Sequence, residues 1–488
     1  MQLLLDYDLS SIQEARDLVR KAKEAQSKFA EFTPEQIDGI LVAMVKAIEE
    51  NAEWLARMAV DETKYGVFEH KVIKNLFASR EVYNSIKNIK TIGVINEDKE
   101  RKVLEVAVPA GVILGITPTT NPTSTIIHNA ICAIKGANAI IFSPHPNAVK
   151  CSNATAQVLH EAAVKAGAPE GIIGCISKIT MKATEELMHH EDVNVIVATG
   201  GSAMVRAAYS AGKPAFGVGP GNVPVFIERT ADIKRAVEDI IISKTFDNGM
   251  ICASEQAIIV DEPVREQVKR ELCEQGCYIL STEETEKISR VVMNPNGAMN
   301  PAVIGKSPEF IAARAGIRIP EKTRLLIAPL DGYGPQFPLS YEKLTTVLAF
   351  YTVKNWEEGC KLSIELLKLG GIGHTFAIHS RDDRIIKEFI RKPTFRIVVN
   401  TPSALGAIGY TTGLLPSLTL GCGTWGGSSI SENLGPHHLI NIKRLAYGIR
   451  RPSIETPEHS VAQCQFTADD IASIVKQVLN KLQVHRAS

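Results

Sequence analysis

Charge of one sign is what this sequence most plainly lacks. Lys+Arg and Asp+Glu number 54 each over 488 residues, so the formal net charge is zero. There is no global basic field to draw in nucleic acid or an anionic membrane, and neither partner is expected. Long hydrophobic runs are missing as well. The apolar stretches at 103–116 and 129–142 are broken by Glu105, Lys135 and glycines, well short of the ~18 residues a membrane helix needs. The nine cysteines (132, 151, 175, 252, 273, 277, 360, 422 and 464) are odd in number and share no short repeated spacing, unlike a disulfide framework. The opening MQLLLDYDLSSIQEA has no basic start and soon meets acidic residues, so a signal peptide is not expected. A cytoplasmic protein with reduced thiols is the expectation. At 45% hydrophobic and 22% charged residues, without repeats or low-complexity tracts, the composition excludes disorder and collagen. The length predicts two large domains plus smaller pieces.

What is present is an alternation of helical and extended patterns. Residues 10–90 read as helices: Ile12, Ala15, Leu18, Val19 and Ala22 keep helical spacing. Ile40, Leu41, Met44, Val45 and Ile48 repeat it after the start signal Thr33-Pro34-Glu35. From Lys102 on, short apolar strands take turns with amphipathic helices. VLEVAVPAGVILGITP, GANAIIFSPHP, VNVIVATGG and VPVFIE form one series, with helices at 148–166 and 202–211. A second series has helices at 231–245, 262–276 and 356–369, and strands at 256–260, 324–328, 346–353 and 374–379. This order predicts an α/β protein with doubly wound parallel sheets.

Three segments carry chemistry. Cys252, in KTFDNGMICASEQAIIV, lies in a loop between a helix and a strand, flanked by Asn248-Gly249 and Ser254-Glu255. A loop thiol beside a glycine turn is open to activation as a thiolate, and it also fits a packed thiol. The other cysteines sit in apolar or helical settings, where a thiol acts as a small hydrophobe. In GVILGITPTTNPTST, two prolines and a run of hydroxyls end a strand, around Thr117, Pro118 and Asn121. That end is where open α/β sheets bind ligands. The Asn121 amide suits donation to an oxyanion, or it merely satisfies turn backbone. Thr199-Gly200-Gly201-Ser202 closes a strand and opens a helix, a place for phosphate or simply a tight turn. No metal site is expected. His189-His190 and His437-His438 are adjacent pairs that face different directions on a helix, and Cys273 and Cys277 have no further ligand nearby.

Taken together, ITPTTNPTST, ATGGSAMVRAAYSAGKPAFGVGPGNVPV, ADIKRAVEDIIISKTFDNGMICASEQ, YEKLTTVLAF, GGIGHT and LTLGCGTWGGSSISENLGPHHLINIK resemble the CoA-acylating aldehyde dehydrogenases. They are most similar to the aldehyde dehydrogenase half of the bifunctional aldehyde–alcohol dehydrogenases. The resemblance spans roughly residues 10–450 and implies the aldehyde dehydrogenase fold: two doubly wound Rossmann-like domains with a small oligomerisation element. With no iron-dependent alcohol dehydrogenase domain behind the match, a stand-alone acylating enzyme is expected. Implied boundaries are a dinucleotide (NAD/CoA)-binding domain at 1–228, a catalytic domain at 229–420 and a return and oligomerisation segment at 421–450. A linker at 451–466 and an amphipathic helix at 467–488 follow.

The resemblance also implies roles. Cys252 is the nucleophile that forms a thiohemiacetal and then a thioester, Asn121 and the Cys252 N–H bind the oxyanion, and CoA takes up the acyl group. Glu342 holds the nicotinamide ribose. His374 of the GHT motif stands near the active site or orders local structure. Thr199, Gly200, Gly201 and Ser202, with Thr117, Pro118, Ser143, Pro144 and His145, are the cofactor contacts. In FGVGPGNVP, Val218 takes the place of the water-activating glutamate of hydrolytic relatives, which favours acyl transfer. Ser143, Pro144, His145 and Pro146 replace the Lys and Glu that grip the adenosine ribose elsewhere, so NAD is expected and NADP is not excluded. A short aldehyde such as acetaldehyde or propionaldehyde is the expected substrate. Sulfoacetaldehyde or succinate semialdehyde would need a cation, for which Arg391, Lys392 and Arg396 are candidates. A homodimer or tetramer is implied, paired through a strand pair near 95–108 and the segment after Ser431.

The tail adds a separate signal. Ile471, Ile474, Val475, Val478, Leu479 and Leu482 make one apolar stripe behind a Thr467/Asp470 start. It packs on its own oligomer, or 467–482 docks a shell or cargo partner, as in the encapsulation peptides it resembles. The second case places the enzyme inside a bacterial microcompartment.

Overall fold

The computed structural model describes residues 6–452 and 466–484. The described residues up to Asn96, with Glu105–Arg444, form one compact unit; Glu97–Leu104 and the described residues from Leu445 onward form a second. In the first, helix Tyr7–Phe29 turns Ala15, Val19 and Ala22 inward, as their spacing predicts. Helix Pro34–Thr63 opens with a capping box: Gln36 N–H donates to Thr33 Oγ1 (3.3 Å) and Thr33 N–H to Gln36 Oε1 (2.8 Å). Its Ile40, Leu41, Met44 and Ile48 enter one core with Ile141 and Ile196 of the sheet below.

Strands β1 (Gly93–Asp98) and β2 (Val103–Pro109) belong to a small three-stranded sheet. The next five strands make a parallel sheet: β3 (Val112–Thr117), β4 (Ala139–Pro144), β5 (Ile173–Cys175), β6 (Val193–Thr199) and β7 (Ala215–Val218). Their order is β5-β4-β3-β6-β7. The chain winds outward from β3 to β5, crosses back and lays β6 and β7 on the other side. Direction therefore reverses between β3 and β6, opening a crevice at their carboxyl ends. Every residue of β3 and β4 is buried, which explains their unbroken apolar runs.

Seven more parallel strands form the second sheet: β8 (Val223–Ile227), β9 (Glu255–Asp261), β10 (Cys277–Ile279), β11 (Leu325–Pro329), β12 (Val347–Val353), β13 (Gly373–His379) and β14 (Thr394–Val399). Their order is β10-β11-β12-β9-β8-β13-β14. This corrects the expected boundary after residue 228. β8 lies between β9 and β13, so the changeover from one sheet to the other falls between Val218 and Val223. Pro224 would ordinarily argue against a central strand. The register shift between Val223 and Pro224 is what accommodates it. β15 (Ile440–Ala446) completes the three-stranded sheet, in the order β1-β2-β15.

One helix not assigned from the sequence is Pro122–Lys135, buried at all of its 14 positions. Its Ile126, Ile127, Ala130, Ile131 and Ile134 keep helical spacing, but the segment runs on into the apolar stretch that ends in β4, which hides where the helix stops. Cys273 and Cys277 also part company: Cys273 is exposed on helix Arg265–Glu274 and does not pack in a core, whereas Cys277 is buried at the start of β10.

In the second unit, helix Ala468–Val484 begins where the stripe predicts. The expected linker at 451–466 falls largely on 453–465, outside the described residues. Among the described residues no helix is long and apolar enough to cross a membrane.

Candidate active site

The carboxyl end of β3 runs into Pro118-Thr119-Thr120-Asn121, and helix Pro122–Lys135 starts with proline at its first position. Asn121 occupies the N-cap position, yet its side chain makes no capping bond. Its Nδ2 instead donates to the Met250 carbonyl (3.1 Å) and Thr120 Oγ1 (3.3 Å), while Oδ1 accepts from Lys74 Nζ (2.6 Å). The amide thus reaches from the end of the first sheet to the loop that carries Cys252 while keeping one contact within its own turn.

That loop follows a tight turn, Phe246–Gly249. Asp247 and Asn248 are both left-handed there, at φ 50° and 53°, a conformation costing non-glycine residues about 1–3 kcal/mol each. Gly249 follows at φ 77°, where a Cβ would come within 2.7 Å of the Thr345 carbonyl. Cys252 is half-buried two residues before Ser254, whose N–H turns back to the Ile251 carbonyl (2.8 Å). Gly221 closes on it from the other side. A Cβ on Gly221 would stand 2.3 Å from the Cys252 carbonyl oxygen and 3.2 Å from His374 Cδ2, so only glycine lets these three segments meet.

A cavity of about 380 Å³ opens between the two sheets. Its wall brings together Cys252, Asn121 and Glu342, with Thr117 and Pro118 at the carboxyl end of β3, Ser143, Pro144 and His145 at that of β4, and Thr199, Gly200 and Gly201 at that of β6. Val218, paired with Thr199, is in the wall as well. Ser202 stands just outside, exposed on the first turn of helix Ser202–Ser210. His374 is also outside the wall: fully buried behind Gly221, with Nδ1 at 2.9 Å from Thr375 Oγ1 and Nε2 unpartnered. Larger hollows of about 790 and 510 Å³ lie elsewhere on the surface, away from all these residues.

Burial dominates the electrostatics. It pushes the Cys252 thiol up to about 12, reinforced by Glu342 and Cys422 and opposed by Arg396. Of the two expected settings for this thiol, the burial of its sulfur favours the packed one. Burial also raises the Glu342 carboxyl to about 7, against the Gly221 N–H it accepts at 2.8 Å. The His374 imidazole is held well below its ordinary value by burial and by Arg396, so it is neutral.

Several residues here were not visible in the sequence. Lys71, Lys74 and Asp247 form a buried ionic cluster behind Asn121. Arg396 is buried with its guanidinium on the Gly421 carbonyl (2.6 Å), not in the cavity wall. Arg391 is exposed and pairs with Glu388. Among the described residues the wall contains no Lys or Arg, and Glu342 is its one carboxylate. The histidine pair behaves differently from its expected geometry. His437 and His438 sit on a 3-10 turn, and their rings, 4.0 Å apart, converge on Glu432. His438 Nε2 lies 3.0 Å from that carboxylate while its Nδ1 accepts the Gly435 N–H (3.0 Å), so both ring nitrogens are engaged.

Two parallel sheets with a thiol at their junction, an amide aimed at its loop and a strand-switch crevice alongside define a Rossmann-like α/β protein with a cysteine at its crevice. The comparisons narrow this class. Residues 2–280 match the model of the aldehyde dehydrogenase family. An acetylating aldehyde dehydrogenase from Geobacillus thermoglucosidasius is 51% identical, with a TM-score of 0.91 over 92% of this chain and 99% of its own. A propionaldehyde dehydrogenase from the Clostridium phytofermentans fucose utilisation bacterial microcompartment is 31% identical, with a TM-score of 0.81 over 89% of this chain and 97% of its own. The bifunctional aldehyde-alcohol dehydrogenase of Escherichia coli K12 is 46% identical over 444 residues, which is 90% of this chain and 50% of that protein. The chain thus spans about half the length of the bifunctional relatives it matches. It belongs to the aldehyde dehydrogenase family.

Proposed function

We propose that the chain is a CoA-acylating aldehyde dehydrogenase that converts a short neutral aldehyde, with NAD and CoA, to the acyl-CoA. The observation that carries this reading is the convergence of Cys252, Asn121 and Val218 on one cavity, with an apolar side chain at the position a water-activating glutamate would hold. The cavity suits a dinucleotide. Thr117 Oγ1 and Thr199 Oγ1 are buried in its wall without partners, and Gly200 and Gly201 leave open space before a helix whose N-terminus has no side-chain cap. Glu342, Thr117 and Thr199 would hold the nicotinamide half, and the segment from Ser143 to His145 the adenosine side. The Ser143 hydroxyl is already engaged with Thr184 Oγ1 (3.0 Å), so no carboxylate stands there to repel a 2′-phosphate, and NADP remains compatible. When bound, the nicotinamide supplies a hydride acceptor and CoA supplies the acyl-accepting thiol.

The chain's own groups do the rest. Cys252 gives up its proton to solvent as its sulfur bonds to the aldehyde carbon. The carbonyl oxygen takes the electron pair and is met by Asn121 Nδ2 and the Cys252 N–H; removal of one such donor typically costs about 10²–10³ in rate. Collapse of this thiohemiacetal releases hydride and leaves a thioester on Cys252. Attack by a second thiol returns the Cys252 sulfur as leaving group and completes a ping-pong cycle. Val218 offers no base to water, which favours the thiol over hydrolysis. With no cation in the wall, a neutral aldehyde fits better than a sulfonate or carboxylate substrate.

NADH production from acetaldehyde, with and without CoA, for the native chain and Cys252→Ala tests this. CoA-dependent turnover that disappears in the variant is expected. Turnover that ignores CoA would replace the reading with a hydrolytic one.

The C-terminal helix supports a second, separate proposal. Ile471, Ile474, Val475, Val478 and Leu479 are each about half exposed along one stripe, which suits docking to a shell or cargo protein of a microcompartment. Deletion of 467–488 should then abolish co-localisation with the compartment while leaving kcat unchanged. Retained co-localisation would end this proposal.

A further inference from the structure

Behind Asn121 lies a buried cluster that the catalytic scheme does not use. Helix Phe68–Leu76 sends Lys71 and Lys74 inward, and both are almost fully buried. They converge on Asp247, which is completely buried at the left-handed turn before Cys252: Lys74 Nζ is 2.5 Å and Lys71 Nζ 3.1 Å from Asp247 Oδ2. The other carboxylate oxygen accepts the Val67 N–H (2.7 Å), and the Asp247 N–H donates to His70 Nδ1 (2.8 Å). Gly66, at φ 80°, makes room, since a Cβ there would overlap Asp247 Oδ1 at 2.0 Å. The two lysines then diverge. Lys71 donates onward to the Thr120 carbonyl (3.1 Å), whereas Lys74 donates to the Asn121 side-chain oxygen (2.6 Å).

We propose that Lys74 is the positioning residue of the oxyanion site: its ammonium captures the Asn121 carboxamide oxygen and so commits the Asn121 NH₂ to the Cys252 side. A carboxamide presents nearly the same shape in its two flipped orientations, one offering a donor and the other an acceptor. With the acceptor outward, the developing oxyanion would meet a lone pair. Lys74 removes that option by a charge-assisted bond to the oxygen, and the same bond polarises the amide so that its N–H groups donate more strongly. Two lysines and one aspartate also leave the cluster with one excess positive charge beside the place where negative charge develops. Burial lowers the Lys74 ammonium to about 8, with Asp247 opposing, so at neutral pH it is still charged. Asp247 ties the arrangement to the turn that presents Cys252, coupling donor and nucleophile through one carboxylate.

The inference rests on the reading of Asn121 as an oxyanion donor, and the test separates the two. Steady-state kinetics of the full chain are compared for native, Lys74→Met, Asn121→Ala, the double variant and Lys71→Met, with the alkylation rate of Cys252 by iodoacetamide as a readout that needs no oxyanion. Lys74→Met should lower kcat about 10–100-fold while the KM values for aldehyde and dinucleotide move less than about threefold. The double variant should be no slower than Asn121→Ala alone, and alkylation should stay within about threefold of native. Lys71→Met, which removes the other ammonium from Asp247 without touching Asn121, should cost clearly less in kcat. Lys74→Gln repeats the series with a polar side chain in the same pocket, so a folding defect of the methionine variant leaves kcat readable. Native kcat in either Lys74 variant, additive losses in the double variant, or alkylation falling in step with kcat would overturn the role assigned to Lys74. Native kcat in Asn121→Ala would instead remove the oxyanion reading beneath it.

Discussion

Helices Pro122–Lys135 and Ala468–Val484, of 14 and 17 residues, stand at opposite extremes of burial. Every residue of the first is buried; in the second, every residue from Ala468 to Asn480 is exposed. Both carry apolar side chains at helical spacing: Ile126, Ile127, Ala130, Ile131 and Ile134 in the first, and Ile471, Ile474, Val475, Val478 and Leu479 in the second. Periodicity marks a helix but not its cover: the first is enclosed by protein on every side, whereas the stripe of the second has no cover within its own unit. The functional consequence follows the same line. The enclosed helix follows Asn121, whose proposed role calls for a rigidly held amide, whereas the exposed one keeps a surface available.

The largest effect that sharpens this contrast concerns stability. Ile131, fully buried in the enclosed helix, should cost about 2–5 kcal/mol when cut to alanine, through lost burial and the cavity left behind. Ile474→Ala in the exposed helix should stay within about 0.5 kcal/mol. Denaturant midpoints of the full chain measure both. Equal losses would mean that the exposed stripe is in fact packed in solution, and the contrast would fail.

The same physics decides what was legible beforehand. Alternating strands and helices, the strand ends at Thr117 and Thr199 and the glycine turn before Cys252 could be read because turn chemistry and apolar runs are local. The assignment of β8 could not, since a buried strand such as VPVFI looks alike in either sheet. Lys71 and Lys74 carry no signal in the sequence, because lysine is seldom buried and their carboxylate partner lies more than 170 positions away. The convergence of His437 and His438 on Glu432 was missed because an α-helix was assumed where a 3-10 turn forms. The setting of Cys252 stayed open for a related reason: burial, a tertiary fact, sets its proton affinity.

Burial also separates the carboxylates of the two regions. Glu342, enclosed in the cavity wall, is raised to about 7, so it is largely protonated below that pH and ionised above it. If the ionised form accepts the ribose hydroxyls, the KM for the dinucleotide should fall as pH rises through 7. Glu342→Gln should raise that KM about tenfold at pH 8, the scale of one hydrogen bond to a charged group, and flatten its pH dependence between 6 and 8. A variant that keeps the native pH profile would assign the titration to another group.

The exposed counterpart carries the smallest effect. Asp470 accepts from the Thr467 N–H (3.0 Å) and hydroxyl (2.6 Å), while its own N–H donates to Thr467 Oγ1 (3.3 Å). These bonds hold its carboxyl below the usual range, the reverse of Glu342. A lowered carboxyl supports the folded helix above its unfolded value and loses that support as pH falls through the lowered one. Asp470→Ala should therefore speed amide exchange in the first turn of helix Ala468–Val484 at neutral pH and make little difference once the native carboxyl is protonated. Neither kcat nor the denaturant midpoint should move, because the helix start is an exposed local structure. A shift in either would show that this helix is coupled to the catalytic body, and the separation between the two regions would then have to be redrawn as a linked pair.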